Sequence, residues 1–247
     1  MRFKMQKQFA GILCLTLCVC LLSACSSPAP QRSATVESTA AAADYRAQIR
    51  LLASSQSQWQ QEEEQGSVYH YAVTDLDWNG RLEILAMSTQ GTGVYTYGNI
   101  FEVSEDGSSL LECSLPFEAG DLPEMIMDVV PAAFDSADGT YYYLFRDTHK
   151  NGAAEYYESI QAISLKDGAV STKTLGQMSL VAVDGVAKEE YDCGDQSITQ
   201  AEYEAIIPEF QSGLEGFTAD LGWLTLEAGM DEAALTKSWE AFEASRN

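Results

Sequence analysis

The chain of 247 residues contains only two histidines, His70 and His149, so a Ser-His-Asp triad or a three-His zinc site has little material. Basic residues are scarce too. Fourteen Lys and Arg stand against 37 Asp and Glu, a formal net charge of −23, which repels nucleic acid and anionic lipid heads and leaves cation binding open. Solubility and colloidal stability account for most of these carboxylates. Long apolar runs are missing but for Phe9 to Leu22, shorter than the roughly 20 residues a spanning helix needs. There is no phosphate loop and no nucleophile elbow, and Gly91-Thr92-Gly93 lacks the third glycine of a dinucleotide fingerprint. Hydrolysis of glycans needs only two carboxylates at the right separation, so that chemistry stays open.

What is present begins at the N-terminus. Arg2, Lys4 and Lys7 precede the apolar run, and Leu22-Ser23-Ala24-Cys25 closes it with small residues before a cysteine, the pattern of a signal peptide over residues 1–24. Those four residues resemble the bacterial lipobox, which implies cleavage before Cys25, a diacylglyceryl thioether on that cysteine, and lipid anchoring at the outer face of the cell membrane. A plain secretory signal with an incidental cysteine is the other reading. Three basic residues and no acid precede Cys25, so the mature net charge falls to −26. Cys14, Cys18 and Cys20 leave with the signal, and Cys113 and Cys193 remain, either as a disulfide, which the compartment permits, or as two free thiols. Residues 25–43 are Ser, Ala, Thr and Pro with few large apolar groups, a tether reaching roughly 20–25 Å. Residues 44–247 suit one domain.

Tyr45, Ile49, Leu52 and Trp59 predict an amphipathic helix from Asp44 to about Gln61. From Val68 the period changes to two, with Tyr69, Tyr71 and Val73 alternating with His70, Ala72 and Thr74. Aromatic and β-branched runs then recur between Asp-Gly pairs at 106–107, 138–139, 167–168 and 184–185, a hairpin signal because Gly supplies the positive φ of tight turns. Thr199 to Glu202 has capping-box spacing, followed by the stripe Tyr203, Ile206, Ile207 and Phe210, with Pro208 expected to kink or end the helix. Leu235, Trp239 and Phe242 mark a last helix after Gly229.

Between the first two strands, Asp75-Leu-Asp77-Trp78-Asn79-Gly80-Arg81-Leu-Glu83 puts oxygen side chains at positions 1, 3, 5 and 9 with Gly at 6. Calcium takes six to eight oxygen ligands, and such a run lets alternate side chains converge while Gly permits the bend. Arg81 adds its carbonyl at position 7. An EF-hand is excluded, because position 12 is Ala86 and strands flank the loop. The competing reading is a polar hairpin whose carboxylates cap backbone amides without an ion.

The stretch Tyr69 to Met87 resembles the calcium-binding hairpin loops of FG-GAP and VCBS-type repeats, where such a loop joins strands of a propeller blade. The resemblance implies calcium held by Asp75, Asp77, Asn79 and Glu83. Trp78 stands where the family has Gly or a small polar residue. Asp147-Thr-His149-Lys-Asn151-Gly-Ala-Ala-Glu155 repeats the spacing, but nitrogen is a poor calcium ligand. Asp147, Asn151 and Glu155 are therefore read as a degenerate copy kept for its turn. Each copy would sit in a four-stranded, blade-like set, Tyr69 to Leu115 and Thr140 to about Tyr191. Two blades cannot close a propeller, so the expected fold is mainly β within α+β: an antiparallel meander of two FG-GAP-like sheets with an N-terminal helix and C-terminal helices.

Address and loop together resemble lipobox-bearing surface lipoproteins of Gram-positive anaerobes. The expected function is a non-catalytic, calcium-stabilised module for an extracellular polymer, peptide or protein. A secreted glycan or wall hydrolase and an accessory subunit of an envelope complex are the alternatives. Among twelve Tyr and four Trp, Tyr95 and Tyr97 beside Gly91 and Gly93, and the run Tyr141-Tyr142-Tyr143, are candidate aromatic platforms.

Overall fold

Asp44 accepts a hydrogen bond from the Ala47 amide and starts the predicted helix, which breaks at Ser55 into α1 (Tyr45–Ser54) and α2 (Gln56–Trp59). The Trp59 indole donates back to the Leu52 carbonyl at 2.9 Å, so its ring folds over the helix end. The computed structural model describes residues 44–61, 67–90, 95–116, 121–151, 155–183, 186–225 and 230–245. The stretches expected to be a signal peptide and a tether, with Cys25 between them, lie outside the described residues. So do Gly91, Gly93 and the Asp-Gly pair at 184–185, where a turn is expected. No helix among the described residues is long and apolar enough to cross a membrane.

The described residues form a mainly β fold with four helices, and both sheets are antiparallel and open. In the first sheet, β1 (Val68–Thr74), β2 (Glu83–Gln90), β3 (Tyr95–Val103) and β4 (Leu110–Glu112) form the expected meander, and β5 (Asp121–Leu122) pairs with β3. In the second, β6 (Val129–Asp135), β7 (Thr140–Asn151), β8 (Glu155–Lys166), β9 (Ala169–Val183), β10 (Val186–Cys193) and β11 (Gln196–Ser197) pair in sequence order. Asp167-Gly168 makes the two-residue turn of β8 and β9 with φ of 52° and 71°, the paired positive values of a type I′ hairpin.

The C-terminal part was expected to be helical, and it also contributes strands. After α3 (Gln200–Ser212), β12 (Glu215–Asp220) joins the edge of the second sheet on β6, and β13 (Leu224–Thr225) joins the first on β1. Both are short and pair with strands far back in the chain, so no local turn announces them. Gly222, at φ 64°, is needed between them because a β-carbon there would lie 2.4 Å from the Ser238 carbonyl oxygen of α4 (Glu232–Ala244). Thr199 makes its capping box, but Pro208 does not end α3. The turn beyond it is held by Phe210 against Tyr142, rings 5.5 Å apart.

Period-two burial divides β7 between two cores. Tyr143 and Phe145 belong to the main core, with residues of both sheets and of α1, α2 and α4, whereas Leu144 packs with Ile160, Leu175 and Tyr203 under α3. Gly176 permits that close approach, since a β-carbon there would meet Ile206 Cδ1 at 2.4 Å. A parallel bridge of Ser114 with Ala169 ties the end of β4 to the β8–β9 turn.

Candidate metal centre

Register places the first site residues before any side chain is considered. Thr74 closes β1 opposite Glu83, which opens β2, and Glu83 in turn stands opposite Glu102 in β3. Residues 75–82 bridge the first pair as a loop anchored by two apolar side chains, Leu76 and Leu82, 2% and 0% exposed. Gln48 of α1 clamps it from outside, accepting from the Leu82 amide and donating to the Gly80 carbonyl. The Tyr143 hydroxyl donates to the Leu76 carbonyl at 3.0 Å. Trp78 turns the chain at φ 53°, a left-handed value that favours glycine. Its ring stacks on Phe242 with centroids 5.1 Å apart, and that packing holds a bulky residue in a conformation that costs it energy.

Within the loop the aspartates curl inward. Asp75 accepts from the amides of Asn79 and Gly80 at 2.9 and 3.0 Å. Glu83 Oε2 accepts from the Thr74 hydroxyl and the Leu76 amide at 2.9 and 2.8 Å. Glu83 Oε1 is buried and has no hydrogen-bond partner among the described residues. Oxygens of Asp75, Asp77 and Glu83 all lie within 4.8 Å of one another. Oxygens sharing one calcium at its usual bond lengths are at most about 5 Å apart, so the cluster has the right span.

Burial pushes the Asp75 carboxyl up to about 7, with the charges of Asp77 and Glu102 adding to it. Burial, then the charges of Asp75 and Asp77, holds Glu83 well above the usual carboxylate range. Asp77 and Glu102 are raised for the same first reason. An isolated buried carboxylate is costly and several together repel one another. Among the described residues the cation paired with one of them is Arg81, whose Nη2 lies 2.8 Å from Glu102 Oε1.

Of the five predicted metal residues, Asp75, Asp77 and Glu83 converge. Asn79 arrives with its amide nitrogen foremost, donating to Asp77 and Glu102 at 3.0 and 2.8 Å, while its oxygen accepts from the Arg81 amide. A cation would need that amide turned over. The Arg81 guanidinium reaches Glu102 at the edge of the cluster. Glu102 was missed; it is 2% exposed and belongs to the same constellation.

The second loop is corrected. Asp147, His149 and Asn151 lie in β7, and the ladder runs without a break to Asn151 opposite Glu155. Four residues of extended chain span about 13 Å, so Asp147 and Asn151 cannot close on one ion. Asp147 instead engages His149 Nε2 at 2.8 Å and the Glu124 amide at 3.1 Å. Residues 152–154, where the sequence places a turn, lie outside the described residues. The disulfide is corrected too. Cys113 and Cys193 are free, the first buried after β4 in one sheet and the second exposed at the end of β10 in the other. Burial, then the charges of Glu83 and Glu102, pushes the Cys113 thiol up, which disfavours its thiolate.

The aromatic candidates separate. Tyr143 is buried, Tyr142 packs under α3, and Tyr141 is half-buried beside Phe134. Tyr97 is half-buried in β3, and the Tyr95 side chain is outside the described set. Comparison with protein-family models, with curated proteins and with solved structures finds no match to this chain.

Proposed function

We propose that this chain is a lipid-anchored protein of the outer cell surface, whose folded part is a non-catalytic binding or adhesion module stabilised by one calcium ion in the Asp75–Glu83 loop. The orphaned Oε1 of Glu83 carries the reading. A fully buried carboxylate oxygen with no donor, beside two further buried acids, lacks the compensation that burial demands. Asp75, Asp77 and Glu83 are the side chains that would hold the ion, with Glu102 at its edge. The all-oxygen donor set suits a hard cation rather than zinc or copper. Bound there, calcium would supply charge compensation and cross-link β1 to β2.

The placement of the loop supports a structural role. Gln48 connects it to α1, Tyr143 to the second sheet, and Trp78 to α4. Its carboxylates turn inward to backbone amides instead of lining an open cleft, which suits a closed site better than a catalytic one. The lipobox resemblance supplies the address, an environment in which a weak calcium site can fill.

Calorimetric titration of the full chain with calcium after chelation tests the ion: binding heat and a raised melting temperature are expected. No heat at millimolar calcium with an unchanged melting temperature would overturn it. Cys25→Ala should release the protein from the membrane fraction, and a variant that stays bound refutes the anchor. A glycan and wall-fragment screen with a product assay, run with and without calcium, separates binding from hydrolysis.

A further inference from the structure

A pocket beside the loop is left unused by the calcium reading. Glu215, Phe134 and Tyr141 align as one row across β12, β6 and β7, and Phe217, Ala132 and Tyr143 as the row two residues further along. Paired residues share a face, as do residues two apart. Tyr143 is in the main core, so the Glu215 row is where the core face of the sheet runs out to solvent. Trp78 overhangs it, its ring centroid 6.2 Å from that of Tyr141. Phe134 stacks on Tyr141 at 4.5 Å, and Phe217 stands nearly perpendicular to Tyr141 at 6.4 Å. These four rings, with Glu215 and Gly216, line a concavity of about 350 Å³, within the size range of small-molecule sites.

The floor of the pocket is braced from behind. Gln211 of α3 donates to the carbonyls of Ala132 and Phe217 at 2.9 and 2.8 Å. Gly216 lets the helix approach, since a β-carbon there would lie 2.9 Å from Gln211 Cβ. A preformed pocket of this kind loses little ordering entropy on binding.

Its chemistry is specific. Aromatic faces are electron-rich and attract cations, Glu215 puts a carboxylate at the rim, no basic side chain among the described residues lines the pocket, and the whole chain is strongly acidic. Anions are repelled. A metal ion would find too few oxygens, and a primary ammonium holds its hydration too strongly to give it up to carbon walls. A quaternary ammonium, bulky and weakly hydrated, uses both the rings and the carboxylate. We propose that the pocket formed by Trp78, Phe134, Tyr141, Phe217 and Glu215 binds the trimethylammonium group of a soluble quaternary ammonium compound.

This names a ligand chemistry for the binding module and needs no ion in the neighbouring loop, so the test is run both in calcium and in chelator. The full chain is titrated by calorimetry and by tryptophan fluorescence with choline chloride and with 3,3-dimethylbutan-1-ol, which has the same shape and no charge, at matched ionic strength. Choline is expected to saturate at millimolar concentration or below, with the neutral compound on the order of 3- to 30-fold weaker. Glu215→Gln should weaken choline several-fold without changing the melting temperature, because the carboxylate is exposed. Tyr141→Phe keeps the ring and should keep binding; Tyr141→Ala should lose it. If Tyr141→Ala does not fold, the other comparisons still decide. Failure of choline to saturate, equal affinity for the two compounds, or choline affinity unchanged in Glu215→Gln would overturn the proposal. A missing calcium response would leave it standing.

Discussion

Glu83 and Glu102 stand directly opposite each other across β2 and β3, 0% and 2% exposed. Like charges in that relation destabilise a sheet, and among the described residues the one ion pair made by either is that of Glu102 with Arg81. The pair is therefore tolerable through protonation or through a cation, and these two routes respond differently to substitution, pH and chelation.

Glu83→Gln removes the charge and keeps the shape. Its oxygen can still accept from Thr74 and Leu76, and its new amide would face the neighbouring carboxylates. In chelator at neutral pH this variant is expected to melt at or above the wild-type temperature, yet to lose the response to calcium. For the wild type, calcium at a hundredfold excess over Kd contributes about 2.7 kcal/mol, about 5–10 °C for a domain of this size. Melting curves with and without calcium check both. A variant that keeps the full calcium shift would count against Glu83 as a ligand.

The pH dependence follows from the sign of the shifts. Asp75 is raised from 3.8 to about 7, and Asp77, Glu83 and Glu102 are raised as well. The folded chain therefore binds protons more tightly than the unfolded one. The associated stability is fully present below pH 4 and is lost as pH rises through about 7. In chelator the melting temperature is expected to fall between pH 5 and pH 8, against the usual trend of acid denaturation. Calcium displaces those protons, so its stabilisation should grow over the same interval. A chelated protein that becomes more stable across that interval would exclude the raised values.

Much of this architecture was legible in the sequence, and the misses have physical causes. Alternation from Tyr69 to Val73 marked β1, and Asp-Gly at 106–107, 138–139 and 167–168 marked turns whose glycines do take positive φ. Glu102 was hidden because register is not visible in alternation alone. Pairing Gln90 with Tyr95 fixes it, and would have pointed to Glu102. The repeat at Asp147, read as a degenerate copy, proves to be strand where a loop was expected, because ligand spacing says nothing about curvature. Near Asp75, Trp78 and Gly80 reverse the chain, whereas Thr148 and Lys150 continue a ladder. β12 and β13 escaped because their partners are non-local.

Trp78 offers a reversal of the usual order of substitutions. Loss of its ring from the contacts with Phe242 and Tyr141 should cost about 2–4 kcal/mol. Alanine would keep a β-carbon at φ 53°, while glycine relieves that strain, worth about 1 kcal/mol. Trp78→Gly is therefore expected to be the more stable of the two by about 1 kcal/mol in urea denaturation. Equal or opposite stabilities would show that the packing does not impose the backbone conformation.

Arg81 and Glu102 should act on calcium affinity with opposite signs. Arg81 sets its guanidinium against Glu102, while Asn79 points an amide nitrogen at the same oxygen. Both arrangements compete with an ion for negative charge. Arg81→Ala takes away a competing positive charge, so calcium should bind roughly 3- to 10-fold more tightly. The chelated protein should meanwhile lose about 1–3 kcal/mol because Glu102 is left unpaired. Glu102→Gln relieves the repulsion across from Glu83, so the chelated protein should hold or gain stability while calcium affinity falls. Calorimetry and melting curves on both variants read the two quantities independently. Shifts of affinity in the same direction would mean that Arg81 does not compete with the ion and that Glu102 lies outside its reach.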